Sequence, residues 1–283
     1  MAGACEVRRV SVIGGGKMGE AVLGGWIAAQ EGPARALGAE SFGVADPGEE
    51  RRGYLAERYG VACASDAREL PRADVVVLAV KPQVMTGVLE SIRAHEPYAG
   101  GEGGPLFVSI AAGLTTERLE AALPESARLV RVMPNTPLLV GAGATAVCAG
   151  AHAAEDDVRL VRELFASLGF ACEVPESDMD AVCALSGSGP AYVAALVEAL
   201  RDAAAKHGIA PELGEQLALQ TVYGTALLMR ETGISAETCR VNVCSPGGTT
   251  LAALNAMNAA GFASVFGAGV DAAVTRSKEL ASC

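Results

Sequence analysis

The sequence predicts an α/β protein, with a doubly wound parallel sheet over residues 1–174 and an all-α domain over residues 175–283. Three observations carry that prediction. Short β-branched runs alternate with helical spacing through the first part, the pattern of a parallel sheet covered by helices. From Ser177 onward the strand signal vanishes, and Ala/Leu-rich stretches of helical length take over. A glycine-rich turn, Gly14-Gly15-Gly16-Lys17-Met18-Gly19, follows the first β-branched run directly.

Taken in order, the expected strands are Arg9 to Ile13, Ser41 to Ala45, Asp74 to Val80, Leu106 to Ile110, Arg128 to Met133 and Ala144 to Cys148. The unbroken run Val75-Val76-Val77-Leu78-Ala79-Val80 reads as a central strand buried on both faces. A helix is expected over Glu20 to Gln30, and Glu96 to Pro105, with four glycines and two prolines, reads as an exposed loop. The second domain offers helices at Pro190 to His207, Pro211 to Glu231 and Leu251 to Leu280. Their wide apolar faces and few charges predict burial against another subunit, that is, a homodimer through the helical domain.

Composition narrows the function classes. Lys plus Arg number 22 against 33 Asp plus Glu, a net charge of −11 without any basic run, so neither nucleic acid nor an anionic membrane surface is an expected partner. Apolar residues make up 51% of the chain, yet Gly, Lys or Asp interrupts every stretch short of the roughly 20 residues a span requires, so solubility is expected. Met1 to Arg9 carries acid and arginine where a secretory signal needs an apolar core. Eight cysteines without a CxxC pair read as reduced and cytoplasmic, and three dispersed histidines give no metal-ligand spacing.

The glycine turn lies between a strand and a helix, where a Rossmann-like fold binds a dinucleotide. Gly14 permits the tight turn, Gly16 lets backbone approach a pyrophosphate, and Gly19 lets the helix pack closely. The second strand ends at Asp46, where a carboxylate accepts from ribose hydroxyls and repels a 2′-phosphate, which favours NADH over NADPH; Arg51 and Arg52 on the following helix stand within reach of a phosphate. Lys81, ahead of Pro82, closes the Val75 to Val80 strand at the ligand edge of the sheet. Ala111-Ala112-Gly113 presents no bulky side chain and suits either a flat nicotinamide ring or a tight helix contact. Farther on, Val243-Cys244-Ser245-Pro246-Gly247-Gly248-Thr249-Thr250 sets a turn and hydroxyls between two helical stretches, and reads either as a capped helix junction or as a nest for a small anion.

With these motifs in order, joined by Met133-Pro134-Asn135-Thr136-Pro137 and Leu185-Ser186-Gly187-Ser188-Gly189-Pro190-Ala191-Tyr192, the chain resembles the pyrroline-5-carboxylate reductases from about Val10 to Leu280. The resemblance implies hydride transfer from NADH or NADPH to the C=N bond of a cyclic imino acid, giving proline. Its implied cofactor residues are Ile13, Gly14, Gly16, Lys17, Met18, Gly19, Asp46, Ala79, Val80, Lys81, Pro82, Ala111, Ala112, Gly113 and Asn242. Gly248, Thr249, Thr250 and Glu176 are implied on the substrate side, with Thr250 and Ser245 as catalytic residues. It further implies a homodimer that combines the dinucleotide turn of one subunit with the substrate turn of the other, and a possible ring of dimers.

Two departures stand out. Ser235-Ala236 and Arg240-Val241 replace the family's usual His-Pro and Lys-Asp, which leaves the support of the substrate turn open. Asp46 stands where the family often has a neutral hydroxyl residue, which again points to NADH. Against the related β-hydroxyacid dehydrogenases, Val193 occupies the place of a catalytic lysine. A dinucleotide-sensing protein without catalysis would have no use for the second turn.

Overall fold

The computed structural model describes residues 7–93, 95–101 and 103–282. Cys5, Cys283 and most of the Met1 to Arg9 segment therefore lie outside the described residues. Eight strands form one sheet in the order β3-β2-β1-β4-β5-β6-β7-β8. They are β1 (Val10–Ile13), β2 (Phe42–Ala45), β3 (Ala62–Ala64), β4 (Val75–Leu78), β5 (Leu106–Ser109), β6 (Arg128–Met133), β7 (Gly143–Ala149) and β8 (Gly169–Glu173). All neighbours pair parallel except β6 and β7. The helices are α1 (Lys17–Ile27), α2 (Glu49–Tyr59), α3 (Pro82–Arg93), α4 (Thr116–Ala122), α5 (Glu155–Ala166), α6 (Met179–Val182), α7 (Gly189–Ala205), α8 (Pro211–Thr232), α9 (Ala236–Asn242), α10 (Thr249–Ala259) and α11 (Phe262–Ser282).

Period-two alternation divides each central strand between two cores. Val10, Val12, Val75, Val77, Val108 and Val130 face the first, with Trp26 of α1 and Phe165 of α5. Ile13, Val76, Leu78, Phe107 and Leu129 face the second, with Met85 and Leu89 of α3 and Leu119 of α4. Trp26, the single tryptophan, is fully buried, donates its ring N–H to Leu164 O at 2.9 Å and packs edge-on against Phe165.

Four sequence expectations are corrected. Strands β3 and β8 were not anticipated: β3 is an Ala-Cys-Ala triplet, and β8 is a half-exposed edge strand with Phe170 facing outward, so neither carries a β-branched run. The expected loop Glu96 to Pro105, apart from Glu102, which lies outside the described residues, opens with a 3₁₀ turn that buries Tyr98, whose hydroxyl donates to Ala67 O at 2.6 Å. The stretch Leu251 to Leu280 is two helices, because Gly261 takes φ +83° and the axes bend by 51° there. Finally, Glu176–Ala205 is long and apolar enough by length and composition to cross a membrane. A count of uninterrupted apolar residues stops at Ser186 to Gly189, whereas the average along the helical stretch does not.

The chain divides into two compact units, residues 1–188 with 273–283, and residues 189–272. The first continues past β8 because Met179 of α6 is buried on Ala146 and Cys148. The end of α11 also belongs to it, with Ser277 donating to Asp180 Oδ1 at 2.6 Å. In the second unit α7 and α8 form an antiparallel pair whose buried members are few, chiefly Val197, Gly214 and Ala218.

Candidate active site

Parallel pairing of β1 with both β2 and β4 makes β1 the point where the winding of the sheet reverses, and ligands sit at the carboxyl edge there. The glycine turn lies on that edge. Gly14 has φ +105°, and a Cβ on it would stand 2.8 Å from the Ala79 carbonyl, so only glycine fits. Gly14 N–H donates to Ala45 O at 2.8 Å and Ala79 N–H to Ile13 O at 2.8 Å, joining the ends of β1, β2 and β4. A Cβ on Gly19 would collide with Gly14 O, so this glycine clears room for the turn itself. Gly16 faces open space, which leaves its backbone free for a phosphate.

Beside the turn lies a cavity of about 490 Å³ lined by Ile13, Gly14, Gly16, Asp46, Ala79, Val80 and Lys81. Ser65, Asp66, Val84 and Val88 also line it and were not anticipated; Ser65 and Asp66 follow the overlooked strand β3. Asp66 is held down to about 2 by its hydrogen bonds from Arg68. The Asp46 carboxylate accepts Gly15 N–H and Gly48 N–H, each at 2.9 Å, and so braces the turn as well as facing the cavity. Arg51 is occupied elsewhere: it donates to Gly15 O and pairs with Glu20. Burial raises the Glu20 carboxyl, but hydrogen bonds from Arg51, Tyr59 and Tyr54 outweigh it and leave the group below its ordinary range. Arg52 caps the carbonyls of Asp46 and Pro47 at 2.9 and 2.8 Å.

Past β5, Ala111 is buried and Gly113 takes φ +74° in the turn to α4. Lys17 and Met18 open α1, and Pro82 opens α3. Asn135 is more than the turn former that its neighbours Pro134 and Pro137 suggest. Its Oδ1 accepts Ala144 N–H at 2.8 Å and its Nδ2 donates to Ser186 O at 3.0 Å, in the π-helical turn Cys183–Gly187. Glu176 accepts from Thr116 N–H at 2.7 Å, from the Thr116 hydroxyl and from Arg131 at 2.9 Å. Burial raises its pKa, but these donors prevail and hold it ionised below its usual range.

In the helical unit, Gly248 N–H donates to Ser245 O at 3.0 Å, and Gly247 takes φ +71°, closing a tight turn after Pro246. A Cβ on Gly248 would strike the Ser245 hydroxyl. Gly248 then serves as N-cap of α10 without a side-chain partner, so the first amides of that helix, beginning at Thr249 and Thr250, stay free for an acceptor. Asn242 ends α9 and is exposed. Ahead of the turn, the Ser235 hydroxyl accepts Thr238 N–H at 3.1 Å and caps α9 without the usual His-Pro. No group of His, Cys, Asp and Glu among the described residues could hold a metal ion.

This architecture is that of a nicotinamide-dinucleotide oxidoreductase carrying a separate helical unit. A family model described as pyrroline-5-carboxylate reductase dimerisation matches residues 176–280, and one described as NADP oxidoreductase coenzyme F420-dependent matches residues 9–130. A pyrroline-5-carboxylate reductase of Synechocystis is 41% identical over 273 residues, covering 96% of this chain and 98% of the relative. The solved pyrroline-5-carboxylate reductase of Coxiella burnetii superposes with a TM-score of 0.87 at 35% identity, covering 96% of this chain and 98% of that one. The solved pyrroline carboxylate reductase of Plasmodium falciparum, with NADP bound, gives a TM-score of 0.83 at 31% identity, covering 98% of this chain and 99% of that one. The chain belongs to the pyrroline-5-carboxylate reductase family.

Proposed function

We propose that the chain reduces the C=N bond of 1-pyrroline-5-carboxylate to give L-proline, the closing step of proline biosynthesis. The observation that carries this reading is the pairing, in one chain, of the Gly14 to Gly19 cradle with the Ser245 to Thr250 turn, within full-length similarity to the family. The cradle fits a dinucleotide, because only glycine at position 14 lets the turn close against the Ala79 carbonyl and Gly16 leaves its backbone open. When bound, the reduced nicotinamide supplies a hydride. The hydride forms the new C–H bond, the C=N π pair passes to nitrogen, and a proton completes the amine.

The chain's own residues hold and orient. Gly248, Thr249 and Thr250 offer amides to the substrate carboxylate, and the Thr250 hydroxyl, with Ser245 beside it, hydrogen-bonds the ring nitrogen. Ala79, Val80, Lys81 and Pro82 border the dinucleotide, Ala111, Ala112 and Gly113 form the bed of the nicotinamide ring, and Asn242 meets the cofactor near that ring. The Asp46 carboxylate in the cavity supports NADH over NADPH, since a 2′-phosphate beside it is repelled. The active form is a homodimer through the helical unit, a reading supported by the exposed apolar side chains of that unit and the matching dimerisation model. A cytoplasmic location accords with the six free cysteines among the described residues. Oxidation of NADH and NADPH in the presence of pyrroline-5-carboxylate tests the assignment. Turnover with a lower KM for NADH is expected, and no turnover with either cofactor defeats it.

A further inference from the structure

We propose that Arg131, Glu176 and Thr116 form a positioning clasp that holds the Ala111-Ala112-Gly113 turn as the bed of the nicotinamide ring, so that Glu176 serves hydride transfer without touching substrate. This rests on the assignment of that turn to the nicotinamide made above.

The turn from Ile110 to Thr115 has two ends, and both are pinned. At the near end, Ile110 N–H donates to Leu78 O at 3.1 Å, and the wholly buried Ser109 lies opposite Arg131 in the β5–β6 register. At the far end, the Thr116 amide and hydroxyl both donate to Glu176, which is 60 residues away in sequence and arrives on the segment that leaves β8. Arg131, 5% exposed, donates to the same Oε1 at 2.9 Å, while Glu176 is 31% exposed.

Each carboxylate oxygen is thus engaged from within the sheet unit, by groups that fix the ends of the turn. A carboxylate meant chiefly for substrate would not need three internal donors. With Gly113 at φ +74° and Ala111 and Leu114 anchored in the core, the backbone between the pins has little freedom. Moving Thr116 by a fraction of an ångström therefore moves the bed.

The test is binding of NADH and of ADP-ribose, which lacks the nicotinamide, to the dimeric wild type and to Glu176→Gln, Thr116→Val and Thr116→Ser. Losing the charged acceptor in Glu176→Gln should weaken NADH about tenfold, and Thr116→Val about threefold, while ADP-ribose affinity stays within about twofold. Thr116→Ser, which keeps the hydroxyl, should restore NADH binding. In turnover, kcat should fall with the KM for the imine unchanged. Parallel weakening of both ligands would mean general loosening around a buried unpaired Arg131 and would overturn the clasp. So would unchanged affinities, or a rise confined to the imine KM, which would assign Glu176 to substrate. A wild type that binds NADH no better than ADP-ribose removes the nicotinamide bed and the clasp together. Tight, clasp-dependent NADH binding without turnover would instead fault only the proposed activity.

Discussion

The two compact units spend similar side chains in opposite ways. In the sheet unit, Val10, Val12, Val76, Val77, Phe107 and Val130 are fully buried, because helices cover both faces of the strands. In the helical unit, Leu217, Leu219, Tyr223 and Val265 remain 53%, 58%, 60% and 67% exposed. Leu, Val and Ala dominate both. The difference is the number of layers: a covered sheet closes its own core, whereas an antiparallel helix pair needs a second layer. An apolar cavity of about 530 Å³ lined by Tyr192, Leu196, Met257, Phe262, Val265 and Phe266 marks the uncovered face.

The largest expected effect breaks this contrast directly. Val265→Asp places a charge on that apolar face and should cost at least about 4 kcal/mol of association, leaving a monomer at micromolar concentration. Light scattering would show it, and turnover should fall below about a hundredth if the dimer is the active form, while NADH still binds the sheet unit. A variant that stays dimeric would show that the face is not covered by a second copy.

Gly14→Ala acts on the other unit. The left-handed φ and the collision with Ala79 should cost about 3 kcal/mol, read as a loss of NADH affinity of about a hundredfold with the dimer intact. Unchanged affinity would show that the cradle is not the dinucleotide turn. Next, Thr250→Ala should lower kcat/KM for the imine about tenfold, through one lost hydrogen bond, with NADH affinity unaltered. A loss of NADH binding in that variant would mean that the turn had been misassigned.

The smallest effect is in pH. Glu20, Asp66 and Glu176 are all held below their ordinary values in the folded sheet unit. A carboxyl depressed on folding adds stability above its unfolded pKa and loses it as pH falls through the folded one. Trp26 fluorescence, a reporter confined to the sheet unit, should therefore show a falling unfolding midpoint below about pH 4.5. Asp66→Asn should remove only the share lost between about pH 4 and 2, under about 1 kcal/mol because the Arg68 pair is solvated. A midpoint flat from pH 6 to 3 would deny these pairs any part in stability.

Much of this was legible along the chain because it depends on neighbours in sequence. The β4 run, the Gly14 to Gly19 turn and the Pro246-Gly247-Gly248 turn announce themselves through local residue chemistry, and each occurs where it was expected. Strand β3, a triplet of small residues, carries no such signal, and with it the cavity residues Ser65 and Asp66 were overlooked. The break at Gly261 carries no local signal, because a lone glycine in an Ala-rich stretch is tolerated in a helix unless its φ turns positive.

By itself, then, the sequence determined six of the eight strands, the glycine turn after the first, the existence of a helical unit and the family, since periodicity and backbone-permissive residues act over a few positions. Only the tertiary structure decided what the polar side chains do. It gave Asp46 to the Gly15 and Gly48 amides, Arg51 to Glu20, Asn135 to Ser186, and Glu176 to Thr116 and Arg131. These partners stand as far as 60 residues apart in sequence. A hydrogen bond is made by distance and angle in space, and sequence spacing carries neither.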